Sequence, residues 1–447
     1  MSNDTIFALA SAPGRAGIAV VRISGATAAT ALKYLGSPTP SARRAVRQKL
    51  VDPDSGNLLD DGLVIFFPGP NSYTGEDVVE LHLHGGRAVL DSILSALSSL
   101  RGLRAAEPGE FARRAFEHGK LDLTQAEAMA DLVDAETRAQ QTQALRQMGG
   151  AFKELCEGWR HRLVQSLAHL EAVIDFPDEN LPKDVADRVW GEVEDLQEAI
   201  QRQLKDGRRG ERLRAGVMVA IVGPPNAGKS TLLNALAKRD AAIVSETAGT
   251  TRDVIEVHMD FSGLPLTIAD TAGLQDAGNA IENEGIRRAL NRAQDADIKI
   301  ALFDGETYPT QDAATLDLVD AETLVVVSKA DLFSSPQGSG IAPDSDAAAT
   351  HFVSVHSGLG MEAFLRGLEQ RVREKLDVAA AAPITRSRHR RALVDCAAAL
   401  RRARDATELE LAAEDLRLSA RALARIAGRV DVEELLDTVF KDFCIGK

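Results

Sequence analysis

Gly223-Pro224-Pro225-Asn226-Ala227-Gly228-Lys229-Ser230 carries glycines, a lysine and a hydroxyl at the spacing of a loop that wraps phosphate. The glycines let backbone N–H groups close around phosphate oxygens, Lys229 brings a charge to the β and γ phosphates, and the Ser230 hydroxyl is suited to Mg²⁺. The apolar run Val217 to Val222 leads into this loop and a helical pattern follows, so Asn226 to Thr231 are candidate nucleotide-binding residues. Asp270-Thr271-Ala272-Gly273 ends a later apolar run and would set a carboxylate beside the metal and the Gly273 N–H toward the γ phosphate. Ser328-Lys329-Ala330-Asp331 follows another apolar run. A carboxylate there accepts both the N1–H and the N2 amino hydrogens of guanine, which favours GTP over ATP. The first residue of such an element is usually Asn, and Ser328 lacks the amide that would tie this loop to the phosphate loop. Ser354-Val355-His356 stands where a loop backing the base would follow the last strand.

Between the phosphate loop and Asp270, the stretch Ser245-Glu246-Thr247-Ala248-Gly249-Thr250-Thr251-Arg252-Asp253 occupies the place of a switch loop, which must supply a threonine to Mg²⁺. Thr251 is the expected ligand. Leu274 stands where a glutamine often orients the attacking water, and leucine cannot do so. Acids just downstream are Asp276, Glu282 and Glu284, and spacing does not choose among them.

These residues need elements to hold them. Residues 1 to about 118 hold short alternating runs at Thr5 to Ser11, Ile18 to Ser24, Leu63 to Gly69 and Asp77 to His84, which read as strands. Helical patterns lie at Thr27 to Tyr34, Arg87 to Leu100 and Pro108 to Glu117, giving an α+β unit. Long helices follow. Val185, Val189, Val193, Leu196, Ile200 and Leu204 put one apolar stripe on one helix face. From Val217 the pattern is that of a mostly parallel α/β sheet, with strands expected at Val217 to Val222, Ile255 to Phe261, Leu264 to Ala269, Ile298 to Phe303, Thr323 to Ser328 and His351 to Val355. An alanine-rich linker ends at Pro383, after which Leu409, Leu416 and Leu423 restore helical periodicity and Gly428 is a C-cap. The expected fold is therefore multidomain, an N-terminal α+β domain and an α-helical bundle interrupted by an inserted α/β P-loop domain.

The phosphate loop with Asn226, the run Ala248 to Asp253, the segment Asp270 to Leu274 and the terminal Phe443-Cys444-Ile445-Gly446-Lys447 together resemble the tRNA-modifying GTPases of the MnmE (TrmE) family, P-loop GTPases of the TrmE-Era-EngA type. Pro13-Gly14-Arg15, Arg22-Ile23-Ser24-Gly25, Thr74-Gly75-Glu76-Asp77-Val78-Val79-Glu80-Leu81 and Gly119-Lys120-Leu121-Asp122-Leu123 look like that family as well. The resemblance implies a tetrahydrofolate-binding and dimerisation domain at 1–118, a helical domain at 119–212 and 378–447, and a GTPase domain at 213–377. It implies a homodimer in which K⁺ promotes pairing of GTPase domains. It further implies a flavoprotein partner, MnmG, and addition of a carboxymethylaminomethyl or aminomethyl group to C5 of the wobble uridine, U34, of certain tRNAs.

By the same resemblance, Asn226, Ser245, Thr247 and Thr250 would coordinate K⁺, Ser230 and Thr251 Mg²⁺, and Glu282 would orient the water. Arg22, Glu80, Lys120 and Lys447 would bind a 5-formyl- or methylene-tetrahydrofolate. A pterin presents amidine-like donors that a carboxylate accepts in pairs, and the glutamate tail needs cations. Cys444 is a candidate functional thiol, whereas Cys156 and Cys396 lie in helical patterns and read as small core residues. The basic runs Arg208 to Arg214 and Arg386 to Arg391 read as solvated helix faces, with tRNA as the alternative partner.

Composition bounds the rest. At 447 residues, about three folded units are expected at roughly 150 residues each. Three cysteines are too few for a disulfide framework, and no apolar run approaches the roughly eighteen residues a membrane span needs. A net charge of -14 means that nucleic-acid contact must come from local patches or a partner. The N-terminal sequence is not of transit type, so a bacterial cytoplasmic location is expected. A ribosome-assembly GTPase would share the phosphate loop, but no appended KH-type G-x-x-G module follows. A pure signalling switch would leave the N-terminal segments unexplained.

Overall fold

The computed structural model describes residues 4–176, 184–206, 208–239, 242–243, 256–269, 296–332, 350–376 and 384–430, together with Leu436, Val439, Phe440, Phe443 and Gly446. The chain divides into two compact units, one of residues 1–130 and 421–447 and one of residues 131–420. The four segments expected from the sequence are a finer division than this. The linker ending at Pro383 lies outside the described residues.

The first unit is built on a six-stranded sheet of β1 (Thr5–Leu9), β2 (Ala16–Ser24), β3 (Val46–Val51), β4 (Leu58–Phe67), β5 (Val78–Gly85) and β6 (Leu103–Ala105), in the order β3-β4-β5-β2-β1-β6. Alternation sorts the strand residues between two faces. On one face Val21, Ile23, Val79 and Leu81 form a dry core with α1 (Ala28–Tyr34) and α2 (Arg87–Ser99), through Leu32, Ile93 and Leu97. The other face is polar in its middle, because the registers set Arg22, Glu80 and Ile65 in one row and Val20, His82 and Leu63 in the next. α3 (Glu110–Glu117) contributes Phe111, which is buried with Ile6 and Ala8. The start of α4 (Leu123–Val133) packs Leu123 and Ala126 with Leu436, Phe440 and Phe443. Gly446 lies against β1, where a side chain would collide with the Leu9 carbonyl.

β3 and β6 were not expected. β3 reads Val-Arg-Gln-Lys-Leu-Val and is a largely exposed edge strand, so its sequence lacks alternation while its backbone pairs fully with β4. β4 begins at Leu58 and ends at Phe67, short of the expected Gly69, because Pro68 has no N–H to offer the ladder.

In the second unit α5 (Arg138–Met148), α6 (Ala151–Asp175), α7 (Asp184–Leu204) and α8 (Arg209–Ala215) precede a seven-stranded sheet. Thr137 and Gln140 close a reciprocal capping box that starts α5. Along α7, Val189, Val193, Leu196 and Ile200 are buried, as the stripe requires. The sheet holds β7 (Val217–Val222), β8 (Ala242–Ile243), β9 (Glu256–Phe261), β10 (Leu264–Ala269), β11 (Ile298–Phe303), β12 (Thr323–Val327) and β13 (His351–Phe352), in the order β13-β12-β11-β7-β10-β9-β8. The five strands from β13 to β10 run parallel, β9 runs antiparallel to β10, and β8 runs antiparallel to β9. α9 (Lys229–Arg239), α10 (Ala313–Leu316) and α11 (Met361–Leu376) accompany it, and α12 (Ser387–Asp405) and α13 (Leu409–Ala427) follow. Gly428, at φ +80°, ends α13 with an Arg429 N–H bond back to the Ala424 carbonyl.

The basic runs are not simply solvated faces. Arg214 Nε and Arg386 Nη2 both donate to Asp131 Oδ1, at 2.8 and 2.6 Å. Arg390 bonds Asp206, Glu211 and the Leu204 carbonyl, and Arg212 bonds Asp297. Residues just before the sheet and just after it are thereby tied together. Asp131 lies in the last turn of α4, where a carboxylate opposes the helix dipole, so it depends on the two guanidiniums. Asp131→Asn should lower the stability of this unit by about 1–2 kcal/mol, a figure reduced for the partial exposure of Arg214. Urea unfolding followed by circular dichroism would read this, and an unchanged first transition would show that the pairs carry no net stability.

Candidate functional site

The phosphate loop leaves β7 at Gly223 and opens α9 at Lys229. Gly223 must lack a side chain, because a Cβ there would collide with the Leu302 carbonyl on β11. Asn226 and Gly228 hold the left-handed conformation, at φ +64° and +92°, which turns the backbone sharply around the loop. Ala227 is fully buried and anchors the loop, while Asn226, Ser230 and Thr231 face outward. Lys229 folds back so that Nζ donates to the carbonyls of Gly223 and Pro224, both at 2.9 Å, and the ammonium lies over the loop.

Two further segments follow β12 and β13, at the C-terminal ends of parallel strands of the same sheet, where open α/β sheets bind their ligands. After β12, Ser328 is buried, and both its N–H and its hydroxyl donate to the Phe303 carbonyl, at 2.9 and 3.1 Å. Its Cβ lies 4.0 Å from where a Cβ on Gly228 would stand, so the loops are close but the hydroxyl points to β11. Lys329, at φ +53°, reaches Asp304 and Glu306 at 2.9 and 3.0 Å. Asp331 is exposed, and its carboxyl is held below the usual carboxylate range by the Ser354 hydroxyl, its own backbone N–H and the charge of His356. Ser354 is buried and also caps the turn through the Ser357 N–H. Val355 and His356 complete that turn, and the Ala330 N–H bonds the Val353 carbonyl. The geometry presents an exposed carboxylate on the loop that packs against the phosphate loop through Ser328, as a guanine nucleotide needs.

The second cluster lies on the polar face of the N-terminal sheet. Arg22 donates through Nε and Nη2 to Glu80 Oε1, at 3.1 and 2.9 Å, across directly paired strand positions. The Arg22 guanidinium stands 5.0 Å from the Tyr73 ring centre and 5.8 Å from that of Phe111, and His82 approaches Glu80 at 3.4 Å. Burial pushes the Tyr73 hydroxyl up to about 12, against the charge of Arg22. A carboxylate held on one oxygen by Arg22 and approached on the other by His82, with aromatic rings against the guanidinium, fits a planar heterocycle with paired donors. Below it Ser24, Thr74, Glu76 and Arg114 form a hydrogen-bonded chain, with Ser24 to Thr74 at 2.6 Å and Arg114 to Glu76 at 3.0 Å. Tyr73, Phe111, His82, Asp304 and Glu306 were not among the residues expected from spacing. Tyr73 alone had a signal, standing directly before Thr74-Gly75-Glu76.

Ser245, Glu246, Thr247, Ala248, Gly249, Thr250, Thr251, Asp270, Thr271, Ala272, Gly273, Glu282, Cys444 and Lys447 lie outside the described residues. Of the K⁺ and Mg²⁺ candidates, Asn226 and Ser230 are described, and Lys120 is exposed beyond α3. Cys156 and Cys396 are buried, and burial pushes the Cys396 thiol up to about 12, as suits a core residue. Among the described residues no helix is long and apolar enough to cross a membrane.

Residues 123–444 match the MnmE helical domain model, and residues 5–120 match the GTP-binding protein TrmE N-terminus. The chain is 54% identical to the tRNA modification GTPase MnmE of Paramagnetospirillum magneticum over 446 residues, all of both chains. The chain belongs to the MnmE family of tRNA modification GTPases. It is likewise 54% identical to the MnmE of Parvibaculum lavamentivorans, over 99% of this chain and 100% of that one. It is 44% identical to the mitochondrial 5-taurinomethyluridine-[tRNA] synthase subunit GTPB3 of Rattus norvegicus, over 100% of this chain and 94% of that protein. In a family defined by a GTPase, the convergence of Gly223 to Thr231 with Asp331 and Ser354 has an evident use.

Asp331→Ala should weaken GTP on the order of tenfold or more while affecting ATP little, since only guanine loses its paired acceptor. Equilibrium titration with fluorescent GTP and ATP analogues would read the ratio, and an unchanged preference would remove Asp331 from base recognition.

Proposed function

We propose that this chain hydrolyses GTP as the GTPase subunit of a complex that installs a carboxymethylaminomethyl or aminomethyl group at C5 of the wobble uridine, U34, of certain tRNAs. The observation that carries the reading is full-length identity of 54% to a tRNA modification GTPase, together with a phosphate loop and a guanine-type carboxylate in one site. The proposed organisation is a folate-binding and dimerisation domain at 1–118, helical segments at 119–212 and 378–447, and a GTPase domain at 213–377. The location is cytoplasmic.

In this mechanism the loop N–H groups and Lys229 hold the β and γ phosphates, and release of Lys229 from the Gly223 and Pro224 carbonyls accompanies binding. Ser230 and Thr251 would hold Mg²⁺, and Asn226 with Ser245, Thr247 and Thr250 would hold K⁺. Bound there, the cations offset the charge that builds on the phosphate oxygens, a task an arginine performs in other GTPases. Glu282 orients the attacking water, a task closed to Leu274 by its side chain. The backbone of Glu246, Ala248 and Gly249 and the segment Asp270 to Gly273 complete the γ-phosphate side.

On the N-terminal sheet Arg22, Glu80 and Lys120, with Lys447, bind a tetrahydrofolate derivative as one-carbon donor. The Glu80 carboxylate, held by Arg22 and His82, and the Tyr73 and Phe111 rings beside Arg22 support this. Two copies associate through that face, where Leu63, paired with His82, is 44% exposed. MnmG is the flavoprotein partner, tRNA the substrate of the complex, and Cys444 a functional thiol of the modification step.

Glu282→Ala should keep GTP binding and lose kcat on the order of 100-fold, read by phosphate release in K⁺ buffer. An unchanged rate would remove Glu282 from the role. Mass spectrometry of wobble nucleosides in tRNA from cells with and without the gene tests the whole reading. Loss of C5-aminomethyl-type uridines, restored by the gene, is the expected result, and unchanged nucleosides in cells with no duplicate gene would overturn it.

A further inference from the structure

Lys120 carries its charge on a long flexible stem, and its side chain is exposed. Its backbone is nevertheless fixed. α3 ends with Gly119 at φ +68°, and the Lys120 N–H donates to the Ala115 carbonyl at 2.8 Å, the bond that closes a helix through a left-handed glycine. His118 stands just before that glycine, and its Nδ1 is 2.8 Å from the Thr74 carbonyl. A carbonyl only accepts, so Nδ1 carries the hydrogen.

Thr74 belongs to the polar face already described. It is fully buried, and its hydroxyl bonds Ser24, two residues along β2 from Arg22. The next residue but one, Glu76, is bonded by Ser24 and Arg114. The turn at Thr74 to Glu76 is therefore rigidly joined to the strand that carries Arg22. Between these anchors Gly75, at φ +83°, offers a bare surface. A Cβ there would stand 2.9 Å from His118 Cβ and 3.4 Å from Lys120 Cε. The Lys120 stem thus lies along Gly75, in a slot that any side chain would fill.

We propose that His118 is the positioning residue for Lys120, pinning the end of α3 to the Thr74 carbonyl so that the Lys120 stem rests on Gly75 and its ammonium is aimed at the anionic part of a ligand held by Arg22 and Glu80. The inference rests on the folate reading of this face and assigns His118 no contact with the ligand. Without the His118 bond, Gly119 and Lys120 can lift from the turn, and the cation is lost to solvent although Lys120 is intact.

The test is calorimetric titration of the full-length protein with 5-formyltetrahydrofolate. His118→Ala should weaken binding about fivefold to tenfold, the worth of one hydrogen bond expressed through a neighbour. An asparagine amide nitrogen falls where Nδ1 lies, whereas a glutamine amide reaches the Nε2 position. His118→Asn should therefore stay within about twofold of wild type, and His118→Gln should behave like His118→Ala. Because His118 acts through Lys120, the double variant His118→Ala/Lys120→Ala should bind no worse than Lys120→Ala alone. A merely structural role for His118 would instead make the two losses add. Additive losses, wild-type affinity in His118→Ala, or failure of asparagine to rescue would each overturn the proposal while Glu80→Ala still weakened binding. Absence of binding by the wild-type protein, or equal affinity in Lys120→Ala, would overturn the folate assignment beneath it.

Discussion

The second unit depends on where Asp131 puts its carboxylate. An α/β sheet inserted between helices is joined to them by two chain crossings, and each crossing alone is a hinge. Asp131 accepts from Arg214, just before β7, and from Arg386, just before α12. Arg390 and Arg212 add bonds from α12 to the Asp206 to Glu211 segment and from α8 to Asp297. Four arginines from two basic runs, Arg212, Arg214, Arg386 and Arg390, are thus engaged in holding the crossings together. Partly buried guanidinium–carboxylate pairs also specify orientation, since a planar fork accepts few geometries.

With the crossings held, the sheet can present three loops at one edge. Two of them rely on left-handed backbone, at Asn226 and Gly228 in the phosphate loop and at Lys329 after β12. The carboxyl of Asp331 is held below its ordinary range chiefly by a hydroxyl from a different loop, that of Ser354. Ser328 spends its hydroxyl on the Phe303 carbonyl. The base loop is consequently braced against β11 and meets the phosphate loop by packing.

The N-terminal sheet solves a different problem, keeping charge on a sheet whose other face is a dry core. Pairing Arg22 with Glu80 at directly opposed positions satisfies both at little conformational cost, because each side chain is already held by its strand. The chain of Ser24, Thr74, Glu76 and Arg114 does the same for the turn beside it, and Arg114 is buried as a result. Aromatic rings at Tyr73 and Phe111 lower the local polarity and strengthen these bonds.

Much of this was legible in the residues. Strands β7, β10 and β11 coincide with the apolar runs Val217 to Val222, Leu264 to Ala269 and Ile298 to Phe303, because buried parallel strands are apolar on both faces. The phosphate loop was legible because its chemistry is local: glycines, lysine and serine act through neighbouring backbone. β3 was not, since an exposed edge strand is held by hydrogen bonds that any backbone can make. The union of Arg214 and Arg386 on Asp131, the influence of Ser354 on Asp331, the rings over Arg22 and the grip of His118 on Thr74 were decided only by the tertiary structure. Each joins residues from separate segments, and side-chain pairing across space leaves no periodicity in the chain. The sequence by itself determined which residue types were available for phosphate, guanine and a charged heterocycle. Folding decided which of them meet, because a contact is set by packing and register, which are properties of the whole unit.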